Sequence, residues 1–224
     1  MSLWIFDYDD TVLPSYISSL AKDYIVIPKD VNNIIIVLLN LISTFDEIIK
    51  NNGNIVILTA SSNPWVTSSL DRLENIVLSN KKFIDMNYLK DRLINSENEF
   101  IINVLKDGFT KTGILNKLDN IYYVHEVEFN LFGSYERSKK YNSLKHIINK
   151  YMLINNIIIL GDAYDNEGIY SIEMANIYPN KNIKYVQYLQ SYDITLKIQE
   201  QILLYLNIKN IRSISNSAVL EINS

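Results

Sequence analysis

Short apolar runs rich in isoleucine and valine recur along the chain, and they constrain its fold more than any other feature. Most have the length and composition of a strand that is buried on both faces, as in a parallel sheet. Stretches with helical spacing lie between them, and this alternation predicts an α/β fold, a three-layer Rossmann-like sandwich with about five parallel strands. The runs are Leu3–Phe6, Asn54–Leu58, Ile121–Val124, Ile157–Leu160 and Ile183–Tyr188.

The intervening stretches place apolar residues on one face of a helix. Gly53 follows the first of them and is predicted to cap its carboxyl end, while Asn63-Pro64 is predicted to begin the second. The region from Asp10 to Gly53 is predicted to hold one loop and one helix. The predicted helices are Val31–Asn51, Pro64–Ser79, Lys140–Tyr151 and Asp193–Leu206.

The segment from Asn80 to Asn120 has a weaker pattern than the rest of the chain. Phe83–Ile94 and Glu99–Leu105 have the spacing of short helices, and Lys106–Gly113 is typical of a loop. We interpret the chain as a single domain spanning residues 1–224, with an accessory helical insertion at about 80–120 that is a candidate lid.

Composition excludes several kinds of chemistry. The net charge is −4 and the pI is near 5.3, so no basic face is expected to recruit nucleic acid or an anionic membrane. The chain has no cysteine, which excludes disulfides, thiolate nucleophiles and cysteine-ligated zinc. The first ten residues lack a basic segment and the apolar run Ile34–Ile42 is short for a membrane span, so we expect a cytoplasmic protein.

Polar residues directly follow three of the predicted strands. Asp7-Tyr8-Asp9-Asp10-Thr11 follows the first, Thr59-Ala60-Ser61-Ser62 the second, and Gly161-Asp162-Ala163-Tyr164-Asp165 the fourth. In a parallel sheet, ligands bind outside the carboxyl ends of the strands, so these segments are expected to share one edge. Each alone is more typical of a turn or a helix cap than of a site. Their order and spacing together favour a functional site.

These segments resemble the conserved motifs of the haloacid dehalogenase (HAD) superfamily. IFDYDDTVLP resembles the first motif, Asp-x-Asp-x-Thr after a strand; ILTAS resembles the second; and IIILGDAYDNE resembles the fourth. Lys140 best matches the lysine of the third motif, with Lys139 as its rival. The pattern FDYDDTVLPS with a later ILTASSNPWV resembles more narrowly a group of HAD-like proteins of eukaryotes and large viruses. HAD-like enzymes carry cap elements over the site, and the short region from Asp10 to Gly53 implies that a cap there is small or minimal.

The resemblance implies a phosphatase that acts through an aspartyl-phosphate on Asp7. A carboxylate can attack phosphorus and divide one displacement into two easier steps. Asp9 would protonate the leaving oxygen and later accept a proton from the attacking water. Lys140, Thr59 and backbone N–H groups such as that of Ala60 would bind the phosphoryl oxygens.

The resemblance also implies a Mg²⁺ cofactor. Clustered carboxylates beside a phosphate dianion repel one another strongly, and Mg²⁺ is a hard cation that prefers oxygen ligands. The implied ligands are the side chains of Asp7 and Asp162 and the backbone carbonyl of Asp9. The second acid of the fourth motif is open between Asp165, which we favour for its closeness to the strand end, and Glu167.

Several alternatives stay open. The same intermediate would serve a phosphotransferase, and a HAD-like chain that has lost catalysis would be a binding or scaffold protein. A receiver domain, as in response regulators, is disfavoured because an acidic motif here follows the lysine. The expected partner is a phosphorylated substrate, either a small molecule or a phosphoprotein, and the oligomeric state is undetermined by the pattern.

Overall fold

The computed structural model describes residues 1–23, 27–93, 95–124, 126–127, 140–187 and 219–220. Its centre is a sheet in the order β3-β2-β1-β4-β5, and every strand pairing in the described part of the chain is parallel. A two-residue strand, β6 (Val219–Leu220), adjoins β5. The predicted parallel sheet is therefore confirmed, although Tyr188 lies outside the described residues. The strands are β1 (Ser2–Asp7), β2 (Gly53–Thr59), β3 (Asn120–Tyr123), β4 (Asn156–Gly161) and β5 (Asn182–Gln187).

Helices connect the strands, and most begin near the residue that the sequence predicts. The helices predicted at Val31, Pro64 and Lys140 are confirmed, and the one predicted at Asp193–Leu206 lies outside the described residues. The prediction of a single helix between Asp10 and Gly53 is wrong, because two helices fill that region. The helices are α1 (Ser15–Asp23), α2 (Pro28–Lys50), α3 (Trp65–Ser79), α4 (Met86–Lys90), α5 (Asn98–Asp107), α6 (Lys140–Lys150) and α7 (Ile169–Ile177).

The central strand β1 has apolar side chains on both faces, and each face packs against a different core. Trp4 and Phe6 belong to a core formed with α1, α2 and α3, where the Phe6 ring meets Phe45 edge-on at 5.4 Å between centroids. Leu3 and Ile5 point to the opposite core, formed with α6 and α7. Alternate residues of a strand point to opposite faces, so this division gives a sheet covered by helices on both sides.

Helix α2 is long and apolar enough, by length and composition, to cross a membrane. It is a core helix in this fold, with 72% of its most apolar window buried inside the protein. Such burial is what a helix against the centre of a sheet requires, because it is apolar on most of its circumference. Burial in the core therefore accounts for its apolar composition. The cytoplasmic localisation stays a prediction.

The turn between α2 and β2 differs from the sequence prediction. Asn51 caps the helix, and Asn52 takes the left-handed backbone conformation with φ 57°. Gly53 is already the first residue of β2, so its prediction as the helix cap is wrong. Asparagine tolerates the left-handed region better than most residues, which allows it to take the place expected for glycine.

The segment from residue 80 to 120 packs against the side of α2. The side-chain amide of Asn32 donates to the Phe83 carbonyl at 2.9 Å, and its oxygen accepts from the N–H of Asp85, also at 2.9 Å. Asn40 donates to the Arg92 carbonyl at 3.2 Å. These hydrogen bonds, with apolar side chains such as Ile101 in the same core as α2, tie the insertion to the domain.

Candidate functional site

The register of the sheet brings the ends of β1 and β4 together. Phe6 lies opposite Leu160, so Asp7 and Asp162 follow at the carboxyl ends of adjacent central strands. On the other side of β1, Asp7 lies opposite Leu58, and Thr59 ends the neighbouring strand β2. Three of the predicted site segments therefore reach one edge of the sheet, as their places after the strands predict.

Three carboxylates meet at this edge, those of Asp7, Asp162 and Glu167. One oxygen from each lies within 4.8 Å of the others, an arrangement that can hold a metal ion. Asp7 and Glu167 are buried. The Oε2 atom of Glu167 is buried with no hydrogen-bond partner, which is costly for a charged oxygen unless something else binds it. We call these three residues the acid cluster.

Lys140, the first residue of α6, lies between two members of the acid cluster. Its ammonium is 2.7 Å from Asp7 Oδ1 and also forms an ion pair with Glu167, and its side chain is 7% exposed. Burial raises the pKa of Asp7 to about 7, although the charge of Lys140 acts in the opposite direction. Burial lowers the pKa of Lys140, but the two carboxylates together raise it above its ordinary value. Lys139, its rival, lies outside the described residues.

A single π-helical turn after β4, Tyr164–Gly168, brings Glu167 back to the sheet edge. Its N–H donates to the Ala163 carbonyl at 3.0 Å. Gly161 makes room for the side chain, because a Cβ there would lie 2.9 Å from Glu167 Cγ. Asp165, which the sequence interpretation favoured, is exposed and lies outside the acid cluster. Of the two acids, Glu167 and not Asp165 therefore belongs to the acid cluster.

Asp9 faces a different direction from the acid cluster. Trp65 Nε1–H donates to its Oδ1 at 3.1 Å, and the Ser61 hydroxyl donates to its Oδ2. Both donors come from the segment around the start of α3, so β2 and α3 hold a carboxylate that follows β1. The Asp7 carboxylate is held separately, because the N–H of Tyr8 donates to Asp7 Oδ1 at 2.8 Å.

The segment after β2 has a buried and an exposed part. Thr59 is fully buried, and its hydroxyl oxygen accepts from the Ser61 N–H at 3.0 Å. Ala60, the next residue, is exposed. Thr59 thus shapes the turn at the sheet edge, and Ala60 lies at the surface next to it.

A cavity of about 470 Å³ opens beside Asp9. It extends over α1, a helix that the sequence pattern did not predict, so the residues of α1 that line the cavity were not predicted either. Trp65, at the start of α3, also lines it. The lining residues are Asp9, Asp10, Ser18, Ser19, Lys22, Ser61, Ser62 and Trp65.

The arrangement combines groups of three chemical types at one edge of the sheet. A buried acid cluster can bind a cation, an ammonium can offset negative charge, and a separate carboxylate on a cavity can exchange protons with a ligand. Comparison with known protein families, curated proteins and solved structures finds no match. The function must therefore be inferred from the geometry.

Proposed function

We propose that the protein is a Mg²⁺-dependent phosphatase that acts through an aspartyl-phosphate on Asp7. The observation that carries the proposal is the acid cluster with Lys140 bound between Asp7 and Glu167. A nucleophilic carboxylate, groups for a cation and a fixed ammonium are what phosphoryl transfer requires, because it depends mainly on positioning and charge stabilisation.

The residues of the acid cluster fit Mg²⁺. Two carboxylates at 4.8 Å repel each other by about 3.5 kcal/mol at an effective dielectric of 20, and a cation removes that cost. All three donors are hard oxygens, and Glu167 offers an oxygen with no protein partner. Asp7, Asp162 and Glu167 would hold the ion, which would offset charge on the transferring phosphoryl oxygens.

The first half of the proposed reaction uses Asp7 and Asp9. A carboxylate oxygen of Asp7 attacks phosphorus and the bond from phosphorus to the leaving oxygen breaks, while Asp9 donates its proton to that oxygen. Lys140 stabilises the negative charge that the phosphoryl group carries. The backbone N–H of Ala60, an exposed residue next to Thr59, would donate a further hydrogen bond to the same group.

The second half returns the enzyme to its starting state. Asp9, now ionised, removes a proton from a water molecule, and the water oxygen attacks phosphorus. The bond between phosphorus and Asp7 breaks, and inorganic phosphate leaves. The hydrogen bonds from Trp65 and Ser61 hold the Asp9 carboxylate at the cavity through both halves.

Membership in the HAD superfamily is part of the proposal. It is supported by the resemblance of the motifs around Asp7, Thr59 and Asp162, and by their convergence at the edge of a parallel sheet. The structure itself is α/β with a parallel sheet, which many unrelated functions share. The proposed reaction therefore depends on the site residues and not on the fold.

The direct test is hydrolysis of a generic aryl phosphate with and without Mg²⁺. We expect Mg²⁺-dependent turnover in the wild type and its loss in Asp7→Asn, which removes the nucleophile with little change in shape. Asp165→Asn is the matched control, because Asp165 is an exposed acid on the turn that carries Glu167. We expect that variant to keep the wild-type rate.

Two results would count against the proposal. Equal turnover in Asp7→Asn and the wild type would exclude Asp7 as the nucleophile. Absence of turnover, together with no Mg²⁺-dependent rise in melting temperature, would favour a binding or scaffold protein. Glu167→Gln separates the two properties, because we expect it to weaken Mg²⁺ binding by roughly 10- to 100-fold while the protein stays folded.

A further inference from the structure

The cavity beside Asp9 is the place where the leaving group of the proposed reaction would lie, so this inference rests on the proposed function. Asp9 lines the cavity, and its carboxylate is held there by Trp65 and Ser61. A general acid must be within hydrogen-bond reach of the oxygen that it protonates. The part of the substrate attached to that oxygen therefore occupies the cavity.

Hydroxyl groups dominate the lining of this cavity. Four serines from two separate segments contribute: Ser18 and Ser19 from α1, and Ser61 and Ser62 from the turn after β2. A serine hydroxyl both donates and accepts hydrogen bonds, as does an alcohol group of a ligand. The Ser61 hydroxyl already donates to Asp9, and that of Ser19 donates to the Tyr16 carbonyl. Ser18 and Ser62 are therefore the serines whose hydroxyls would lose water to an alkyl group without gaining a partner.

The charged groups of the lining disfavour a second anion. Asp9 and Asp10 contribute carboxylates, and Lys22 contributes the ammonium. The Lys22 ammonium also lies 5.1 Å from the centre of the Trp65 ring, where the aromatic face attracts it. A second phosphate or carboxylate on the ligand would lie close to the Asp9 carboxylate, which repels it. A neutral ligand rich in hydroxyls can instead donate to the acids and accept from the lysine.

The volume accommodates a small ligand. About 470 Å³ lies in the lower half of the range for small-molecule pockets, which is room for a six-carbon leaving group with its hydroxyls.

We propose that the cavity binds the alcohol part of a small polyhydroxylated phosphate monoester, a sugar or polyol phosphate. The hydroxyls of Ser18 and Ser62 select for this class by bonding the hydroxyls of the substrate from opposite segments. Trp65 provides an aromatic wall against its carbon chain.

The test compares three substrates with Mg²⁺ present: sorbitol 6-phosphate, hexyl phosphate and fructose 1,6-bisphosphate. Sorbitol 6-phosphate and hexyl phosphate have the same number of carbons and differ in their hydroxyls. We expect kcat/KM for sorbitol 6-phosphate to exceed that for each of the others by at least about tenfold. The double variant Ser18→Ala, Ser62→Ala should reduce the sorbitol-to-hexyl ratio about tenfold, and Ser79→Ala, an exposed serine at the end of α3, should leave it unchanged.

The outcomes separate this inference from the proposed function. Turnover of an aryl phosphate without preference for sorbitol 6-phosphate would overturn the inference and leave the phosphatase proposal intact. If no phosphate is hydrolysed, the phosphatase proposal fails. The ligand class is then decided by calorimetry, in which the Asp7→Asn variant is titrated with sorbitol 6-phosphate and with hexyl phosphate in the presence of Mg²⁺. Tighter binding of sorbitol 6-phosphate than of hexyl phosphate would support the inference, and equal or weaker binding would overturn it.

Discussion

The ion pairs of Lys140 allow a quantitative prediction about stability. Its side chain is 7% exposed and contacts two carboxylates, whereas Lys50 is 77% exposed and pairs with Glu47 within one turn of α2. Lys140→Met and Lys50→Met therefore make the same chemical change in a buried and an exposed ion pair. The comparison separates the effect of burial from the effect of losing a lysine.

The expected magnitudes differ several-fold. Removing one partner of a buried ion pair costs about 3–5 kcal/mol, because the remaining charge stays buried. Lys140→Met leaves both Asp7 and Glu167 without their cation, so we expect the upper part of that range. An exposed pair contributes about 0–1 kcal/mol, so Lys50→Met should change the free energy of unfolding by less than about 1 kcal/mol. For a chain of this length the difference corresponds to roughly 10 °C in melting temperature.

The assay is urea unfolding in the presence of EDTA, so that no metal replaces the lost ammonium.

A lower pH should reduce the difference in the free energy of unfolding between the two variants. The pKa of Asp7 lies above its ordinary value of 3.8, at about 7, so the ionised form costs stability as the pH rises through that value. Near pH 5 the carboxyl takes up a proton more readily, and Lys140→Met should recover part of its loss. If Lys140→Met costs no more than Lys50→Met at neutral pH, the buried ion pairs do not exist in solution.

Three further variants test other parts of the structure. Gly161→Ala should displace Glu167, because the new Cβ would lie 2.9 Å from Glu167 Cγ. We expect it to weaken Mg²⁺ binding, measured by calorimetry, about tenfold or more. Unchanged affinity would contradict the placement of Glu167. Trp65→Phe removes the N–H that holds Asp9, the proposed general acid. We expect kcat/KM for an alkyl phosphate to fall about tenfold, while an aryl phosphate, whose leaving group needs no proton, changes little. Equal losses on both substrates would indicate only a structural role for Trp65. Leu38 is fully buried and Leu153 is 92% exposed. Leu38→Ala should lower the free energy of unfolding in urea by about 3–5 kcal/mol, and Leu153→Ala by less than about 0.5 kcal/mol. Similar losses would contradict the described core.

The elements predicted from the sequence are those with a strong local pattern. The strands are apolar runs that need both faces buried, and α2 and α3 have apolar residues at helical spacing, so their type follows from a few adjacent residues. Helix α7 was missed because its apolar residues are not confined to one face. Helix α1 was missed because serines interrupt its short apolar pattern, and with it the contribution of Lys22 to the cavity.

The site was predicted in part for a similar reason. Asp7 ends β1 and Asp162 directly follows β4, so the parallel sheet alone brings them to one edge. Glu167 depends on a π-helical turn, which changes the side of the chain on which each residue lies, and counting residues along the sequence does not reveal such a turn. The contact of Asp9 with Trp65 joins residues 56 positions apart and depends on the packing of α3.

The charges of the site suggest an order of binding. The acid cluster contributes three carboxylates and Lys140 one ammonium, so the four groups together carry a charge of −2 when all are ionised. A phosphate monoester dianion would be repelled from this edge of the sheet unless a cation were already bound there. One divalent ion would balance that charge, and a monovalent cation would not. We therefore propose that the divalent cation of the site, Mg²⁺ in the proposed reaction, binds before the phosphate ester.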